Sequence, residues 1–559
     1  MITKHERLRA LENQIQRLNR RIDGLNQRSN RLSWVRLAIF LGGFLLAVLV
    51  FFPAGWPSSL ATGFITVVAF SIVAYIHRQV ERSITRHKIW LQLKTTQVAR
   101  IQLDWSNIPS ISTKSSLSTH PFETDLDITG ERSLHQLITT AVSYEGRQRV
   151  QAWLLNATPD LQTIHQRQAL IQELAPLSRF RDKLTLKTLL ASTNVAEHLE
   201  GKNLLNWLKQ QDGYKQSRLT ILVATALSAL TIILLLLNSL ALIGPQFWII
   251  AVLLSIGWFS LKRKERGDLF EDAYFLRDAF AQLSTIFEYL ETYPYGNQHH
   301  LKKLCDPFFN NSARRPSVLL KKLSRIASAA TLAKNQFLWF IINALLPWDV
   351  YVAIRLNRYK ALLASVLPAW LDTWFELEAL SSLASFSYLN PEYPQPALID
   401  DAGQDNHCLF HANGLGHPLI VAEQKVVNDF SMNDPGQVVI VTGSNMSGKS
   451  TFLRTIGINL CLAYAGGHVN ADSFQTSLFK IFTCIKVSDS VTDGYSYFYA
   501  EVKRLKALLQ ELERGDGLPL FFLIDEIFKG TNNRERLIGS RAYIHALVGQ
   551  NCLGVISTH

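Results

Sequence analysis

The sequence predicts a multidomain chain. A largely helical body carries two membrane-length helical hairpins, and an α/β domain built around a phosphate-binding loop follows it. Three observations lead there. Apolar runs of about 20 residues come in two closely spaced pairs, each flanked by basic residues. Stripes of Leu, Phe and Trp at helical spacing fill residues 125–210 and 268–390. After Tyr393-Pro-Gln-Pro396 the pattern shifts to short β-branched runs, one of which enters Gly443-Ser-Asn-Met-Ser-Gly448-Lys449-Ser450.

A chain of 559 residues is long enough for three or four domains with their own cores. Its net charge of +12 and pI of about 9.4 favour an anionic partner, either nucleic acid or the inner surface of a membrane. The five cysteines, Cys305, Cys408, Cys461, Cys484 and Cys552, are scattered and lack a C-x-x-C pair. They read as reduced, buried thiols of a cytosolic compartment, which excludes a disulfide scaffold and a zinc framework.

Taken in order, residues 1–33 carry a heptad. Leu8, Leu11, Ile15, Leu18, Ile22, Leu25, Ser29 and Leu32 recur in steps of three and four, which predicts a coiled coil and self-association. Residues 34–76 form the first hairpin, Trp34 to Phe52 and Trp56 to Ile76, turned at Pro53-Ala-Gly55. Arg28, Arg31 and Arg36 flank one end, and His77, Arg78, Arg82, Arg86 and Lys88 the other, so both ends should be cytoplasmic. Residues 77–124 read as a linker. Residues 125–218 are a first helical part, in which Asn156-Ala-Thr158-Pro159 breaks the pattern and Pro159 should open the next helix.

A second hairpin occupies 219–261, Leu219 to Ile243 and Phe247 to Leu261 around Gly244-Pro245, again with Lys and Arg at both ends. These four spans hold few polar groups, chiefly Asn238, which favours anchoring over a transport path. A second helical part covers 262–392; within it Gln336 to Leu346 is apolar but too short to span and reads as a buried helix. The expected location is the inner or plasma membrane, multi-pass, with the N-terminus and the α/β domain in the cytoplasm.

Residues 393–559 hold the chemistry. Val438 to Val441 reads as a buried strand and Thr451 to Leu462 as a helix, and the loop between them fits G-x-x-x-x-G-K-[ST]. The backbone of Gly443, Ser444, Asn445, Met446, Ser447, Gly448, Lys449, Ser450 and Thr451 should cradle the phosphates of ATP at a helix N-terminus. Lys449 would reach the β/γ-phosphates and Ser450 would hold Mg²⁺. A second apolar strand, Leu520 to Ile524, ends in Asp525-Glu526. Asp525 suits the second ligation of Mg²⁺, and Glu526 suits the orientation or deprotonation of water.

Across residues 125–559 these motifs resemble the MutS family, known for DNA mismatch repair. Thr442-Gly-Ser-Asn445-Met446-Ser-Gly-Lys-Ser-Thr451 is similar to the family's TG-x-NM-x-GKST. Gly416-His417-Pro418, Asn428-Asp429, Ile481-Phe482-Thr483, Ser496-Tyr-Phe498-Tyr-Ala-Glu501, Asp525-Glu526-Ile-Phe-Lys-Gly530-Thr531 and Ser557-Thr558-His559 resemble its further elements in order. Asp125-Leu-Asp-Ile128 resembles the start of its helical core, and Trp370 to Leu383 the return of its lever helices.

The resemblance implies a helical core and lever domain joined to an ABC-type P-loop ATPase domain, working as a homodimer. Each ATP site would be composite: Ser496, Phe498 and Glu501 would face the partner's γ-phosphate, while Glu526 and His559 act on ATP and Mg²⁺ in their own subunit. Domain closure would then move the helical arms. Phe410, His411 and His417 are candidates for stacking on adenine. The sequence departs from the repair branch at Tyr497, where Thr is usual, and in the loop Phe528 to Arg536. Coiled coil, hairpin and linker stand where that branch has its mismatch-reading and connector domains. The sequence ends where the family continues to a helix-turn-helix segment, as a truncated form would. Two functions follow: a membrane-tethered ATPase binding duplex DNA, or a membrane mechanochemical ATPase or scaffold acting on a protein or lipid partner.

Overall fold

The structure, a computed structural model, describes residues 3–111, 121–192, 201–209, 218–261, 267–309, 315–331, 341–343, 345–399, 409–444, 446–486, 497–515, 517–529 and 531–558. Helix α1 (Lys4–Gln102) opens on a capping box, in which Thr3 accepts from the Glu6 amide and Glu6 from the Thr3 amide. It is broken once, at Gly55 (φ 75°, ψ −178°), a backbone conformation that a side chain would oppose; Pro53 and Pro57 bracket the break. The chain reverses there. Ser59 Oγ donates to the Ala47 carbonyl (2.8 Å), the Phe40 and Phe70 rings lie 6.3 Å apart, and Leu11 packs with Ile101 and Leu389.

This reversal bears on two expectations. Leu11, Ile22, Leu25 and Ser29 of the heptad are buried, Leu11 with Ile101 and Leu389 and Ser29 against His77 of the chain's own return arm, on which Ile84, Ile89 and Ile101 are also buried. Part of the stripe at 1–33 is therefore met within the chain, while Leu8, Ile15, Leu18 and Leu32 stay half-buried. Residues 77–102, expected as linker, are that return arm. The arm is fixed firmly at its end. Lys94 Nζ and Asp182 Oδ2 form an ion pair of 2.6 Å, nearly fully buried on both sides. Arg100 donates to the carbonyls of Leu137 and Thr139, and burial lowers its pKa to about 10. At the base of the apolar stretch, Ser29 bonds His77 (2.9 Å) and Glu81, and Arg36 bonds the other ring nitrogen of His77 (2.9 Å). Beyond this base Trp34, Phe44, Phe52, Trp56 and Phe64 are mostly exposed.

Short helices α2 (Pro121–Asp125) and α3 (Leu134–Ile138) follow, then α4 (Tyr144–Leu154), α5 (Leu161–Leu174), α6 (Ser178–Ser192) and α7 (Gly201–Lys209). Asp160, not Pro159, caps α5, accepting from the Thr163 amide (2.8 Å). Helices α8 (Arg218–Ser239) and α9 (Pro245–Leu261) make the second apolar pair, followed by α10 (Gly267–Thr292), α11 (His299–Leu304), α12 (Pro316–Thr331) and the long α13 (Trp348–Leu389). By length and composition α1 and Ile221–Ser239 can each cross a membrane, and no part of the apolar window of α1 is buried. Pro245–Trp258 is a shorter apolar helix. Most of the segment 336–346 lies outside the described residues.

Two compact units result. One comprises Met1–Thr140, Gln148–Leu186 and Ala379–His559, and the other Ala141–Arg147 with Lys187–Glu378. The second is helical, with a core of Phe287 against Phe308, Trp370 and Trp374. The first contains α1 and the α/β domain.

That domain has two four-stranded sheets. The mixed sheet is formed by β1 (Ala397–Leu398), β2 (Phe410–Leu415), β3 (Asn428–Met432) and β5 (Ser473–Thr476), in the order β1-β5-β2-β3. The parallel sheet is formed by β4 (Val438–Thr442), β6 (Lys480–Cys484), β7 (Leu520–Asp525) and β8 (Cys552–Thr558), in the order β4-β8-β7-β6. Helices α14 (Lys449–Tyr464), α15 (Tyr497–Arg514) and α16 (Asn533–Leu547) connect its strands. β7, central and apolar throughout, is buried except at Asp525. β4, expected to be buried, is the edge strand of its sheet and only half-buried, with Ile440 49 % exposed.

Candidate functional site

All four strands of the second sheet run parallel, so their C-terminal ends share one edge, where open α/β sheets bind ligands. Thr442 of β4 pairs with Thr558 of β8, and Ser557 of β8 pairs with Asp525 of β7. The glycine-rich loop leaves the end of β4, and the Asp525–Glu526 pair stands one strand beyond β8.

The loop enters α14 through Gly448, whose φ of 91° suits glycine. No side chain caps this helix N-terminus, so its first amides are open to an anion. The loop residues Gly443, Ser444, Met446, Ser447 and Gly448 are exposed, Met446 with φ 64°. Lys449 lies beneath them, 8 % exposed, its Nζ donating to the carbonyls of Gly443 (2.7 Å) and Ser444 (2.9 Å). Ser450 is half-buried on the first turn and Thr451 is exposed. Asn445 lies outside the described residues.

On β7, Asp525 accepts from Ser557 Oγ. Ser557 is thus a site residue that sequence reasoning quoted only as part of a motif. Glu526 leaves the strand with φ 55°; its amide donates to the Ser557 carbonyl (3.0 Å) and its carboxylate meets Lys529 Nζ (3.0 Å). A hydroxyl on α14 and a carboxylate on β7 are oxygen donors of the kind Mg²⁺ takes when phosphates complete its shell. Among the described residues no group of three or more His, Cys, Asp or Glu could hold a metal alone.

The residues expected to face a partner are divided. Ser496 lies outside the described residues, as does His559, which was expected to act in its own subunit. Phe498 is 39 % exposed, on the first turn of α15. Glu501 is 2 % exposed and accepts from the Phe528 amide of its own chain (2.5 Å), so its carboxylate faces inward and not toward a partner. Burial pushes that carboxyl up, against the opposing pull of the Phe528 and Lys529 amides.

Two of the three adenine-stacking candidates are also interior. Phe410 packs among Phe430, Phe474 and Phe521, and His417 is buried, with its pKa pushed down to about 4 by burial and by nearby Arg454. His411 on β2 is half-exposed. The described cysteines, Cys305, Cys461, Cys484 and Cys552, are free and buried, and burial raises their thiols to about 11 or 12. They are inert at neutral pH.

Comparison with known proteins gives the same assignment as the motifs. The family described as MutS domain V matches residues 439–559. "DNA mismatch repair protein MutS 2" of Halobacterium salinarum is 31 % identical over 220 residues, 38 % of this chain and 24 % of that protein. "DNA mismatch repair protein MutS" of Chloroflexus aurantiacus is 29 % identical over 213 residues, 37 % of this chain and 20 % of that protein. The Fusobacterium nucleatum protein of the same name is 29 % identical over 241 residues, 39 % of this chain and 26 % of that protein. The chain therefore spans about a quarter of the length of these relatives. Residues 439–559, where the glycine-rich loop and the Asp525–Glu526 strand end lie, thus match MutS domain V, and their similarity to the MutS proteins supports membership of that family.

Proposed function

We propose that this chain is a membrane-anchored ATPase of the MutS family, acting as a dimer. The observation that carries the ATPase reading is the common edge of the parallel sheet. Along it stand an uncapped helix N-terminus, a buried lysine and a strand-end Asp-Glu pair. The loop amides and Lys449 bind the phosphates. Ser450 and Asp525 hold Mg²⁺, which neutralises phosphate charge when bound. Glu526 orients the attacking water. Lys449 exchanges its two loop carbonyls for phosphate oxygens on binding, and Glu526 exchanges Lys529 for water. Ser496 and Phe498 of a second copy complete the site, and His559 senses the γ-phosphate. Closure of two such domains moves the helical arms.

Membrane anchoring is supported by the outer surface of α1. An apolar helical pair with none of its window buried has no counterpart in a soluble core, whose helices hide their apolar faces. The cations around its base agree with cytoplasmic ends and an inner or plasma membrane, and α8 and α9 supply the second pair of spans. DNA is the partner suggested by the names of the relatives and by the +12 charge. A second reading, a mechanochemical ATPase or scaffold without DNA, is favoured by residues 4–102, which form an apolar hairpin where the repair branch carries its mismatch reader.

The deciding experiment measures ATP binding and hydrolysis by the detergent-solubilised chain. Lys449→Ala should abolish binding. Glu526→Gln should keep binding and lower turnover by about a hundredfold or more. Unchanged hydrolysis in either variant would overturn the site assignment. Binding to paired and mismatched duplex at about 0.15 M salt then separates the two partner readings.

A further inference from the structure

Asp125, at the end of α2, is fully buried against the α/β domain. It accepts from Thr483 Oγ1 (2.7 Å), the amides of Ile485 (2.9 Å) and Lys486 (3.0 Å), and Arg504 on α15 (3.0 Å). Its neighbours reinforce the contact. Leu126 fills the space that a side chain on Gly457 of α14 would need, and Asp127 pairs with Lys486 (2.6 Å) and Arg454 (3.5 Å). This short segment thus grips the phosphate-loop helix, the end of β6 and α15 together.

One turn before Arg504 on the same helix is Glu501. Its carboxylate takes the Phe528 amide (2.5 Å), two residues past Glu526. Glu526 and Phe528 both hold left-handed backbone conformations (φ 55° and 57°), which non-glycine residues keep only where surroundings impose them. Three bonds impose them here: Glu526 amide to Ser557 carbonyl (3.0 Å), Phe528 amide to Glu501, and Arg536 Nε to the Ile527 carbonyl (3.2 Å).

We propose that Asp125, Arg504 and Glu501 form a positioning relay that sets the 526–528 loop, and with it the aim of the Glu526 carboxylate, from the segment ahead of the helical body. The far end of the relay is α1. The Leu134 amide bonds the Asp127 carbonyl (3.0 Å), the His135 amide bonds the Ile128 carbonyl (2.9 Å), and Arg100 holds the other end of α3. Glu501 is therefore a positioning residue on α15 for the 526–528 loop of its own subunit. This inference rests on the ATPase reading for its effect on turnover, but not for its effect on the loop.

The test uses the full chain and two readouts, steady-state ATP hydrolysis and hydrogen exchange at the Phe528 amide. Asp125→Asn should lower kcat about tenfold, leave KM for ATP within about twofold, and speed exchange at Phe528 about tenfold. Glu501→Gln should do the same without touching Asp125. Because the residues act in series, the double variant should fall no further than either single one. Arg504→Lys keeps the charge and should give a smaller change in the same direction, which serves if Asp125→Asn does not fold. A folded Asp125→Asn chain with unchanged kcat and unchanged Phe528 exchange would overturn the relay, as would multiplicative losses in the double variant. If the unaltered chain hydrolyses no ATP, the ATPase reading fails, and exchange at Phe528 still decides the relay.

Discussion

The two apolar hairpins solve the same problem by different means. The arms of α1 are joined below the apolar stretch by polar groups, Ser29, Arg36, His77 and Glu81, and the return arm is fixed by Lys94–Asp182 and Arg100. α8 and α9 are held by small faces along their length: Ala224, Ser228 and Thr231 against Ala251 and Ser255, all buried, with Thr231 Oγ1 3.5 Å from Ser255 Oγ. Small residues let helix backbones approach closely where surroundings give no hydrophobic drive. The first hairpin belongs to the unit that holds the α/β domain, and the second to the helical unit. Buried charge fastens the first unit's hairpin at its root. In the second unit a buried carboxylate, Glu378 on α13, takes the Ser143 hydroxyl and the amides of Val142 and Ser143. One hairpin is built to carry orientation, the other to hold itself together.

The comparison breaks first at Asp182. Asp182→Ala leaves Lys94 buried without its carboxylate and should cost about 3–5 kcal/mol, read by thermal unfolding in detergent. A loss under about 1 kcal/mol would show that the root of the first hairpin is not held by charge.

The helical unit should respond to pH instead. Burial pushes the Glu378 carboxyl up to about 7. The folded unit then binds this proton more tightly than the unfolded chain, whose glutamates titrate near about 4.3. Its stabilising contribution is complete below that value and is lost as pH rises through about 7, by roughly 3–4 kcal/mol. Glu378→Gln should flatten this slope between about pH 5 and pH 8; an unchanged slope would assign the dependence elsewhere.

The smallest effect belongs to the second hairpin. Ala251→Leu puts a large side chain into the small-residue face and should destabilise that pair by about 1–2 kcal/mol. Ser255→Ala, which keeps the volume, should change it by less than about 1 kcal/mol. Equal losses would give the hydrogen bond, and not the close approach, the leading part.

Much of this was legible in the sequence because it lies in local patterns. The turn at Gly55, the strand–loop–helix at 438–464 and the strand end at Asp525 follow from residue spacing and from what glycine permits. What escaped depends on contacts distant in sequence. The heptad at 5–32 specifies that a helix has an apolar seam, but not whose helix meets it, and the return arm meets it at Leu11 and Ser29, through Ile101 and His77. Nothing local says that β4 sits at a sheet edge. Glu501 sits in a segment that family likeness turns toward a partner, and only its inward bond to Phe528 shows otherwise. Asp125 could be quoted from a motif, yet its donors come from more than 350 positions away.

The return of α1 to its starting point has a mechanical consequence. A helix advances about 1.5 Å per residue, so each arm, from Lys4 or Gln102 to the break at Gly55, is about 70–77 Å of rod. Both ends of that rod meet the same body: Arg7 lies on the ring of Tyr388, and Leu11 and Ile101 pack with Leu389. Such a rod works as a pointer on a dial. A swing of about 5° at the root would carry its tip about 6 Å, roughly the pitch of one helical turn. A rotation of a few degrees in the body would thus be read at the tip as a full turn of helix.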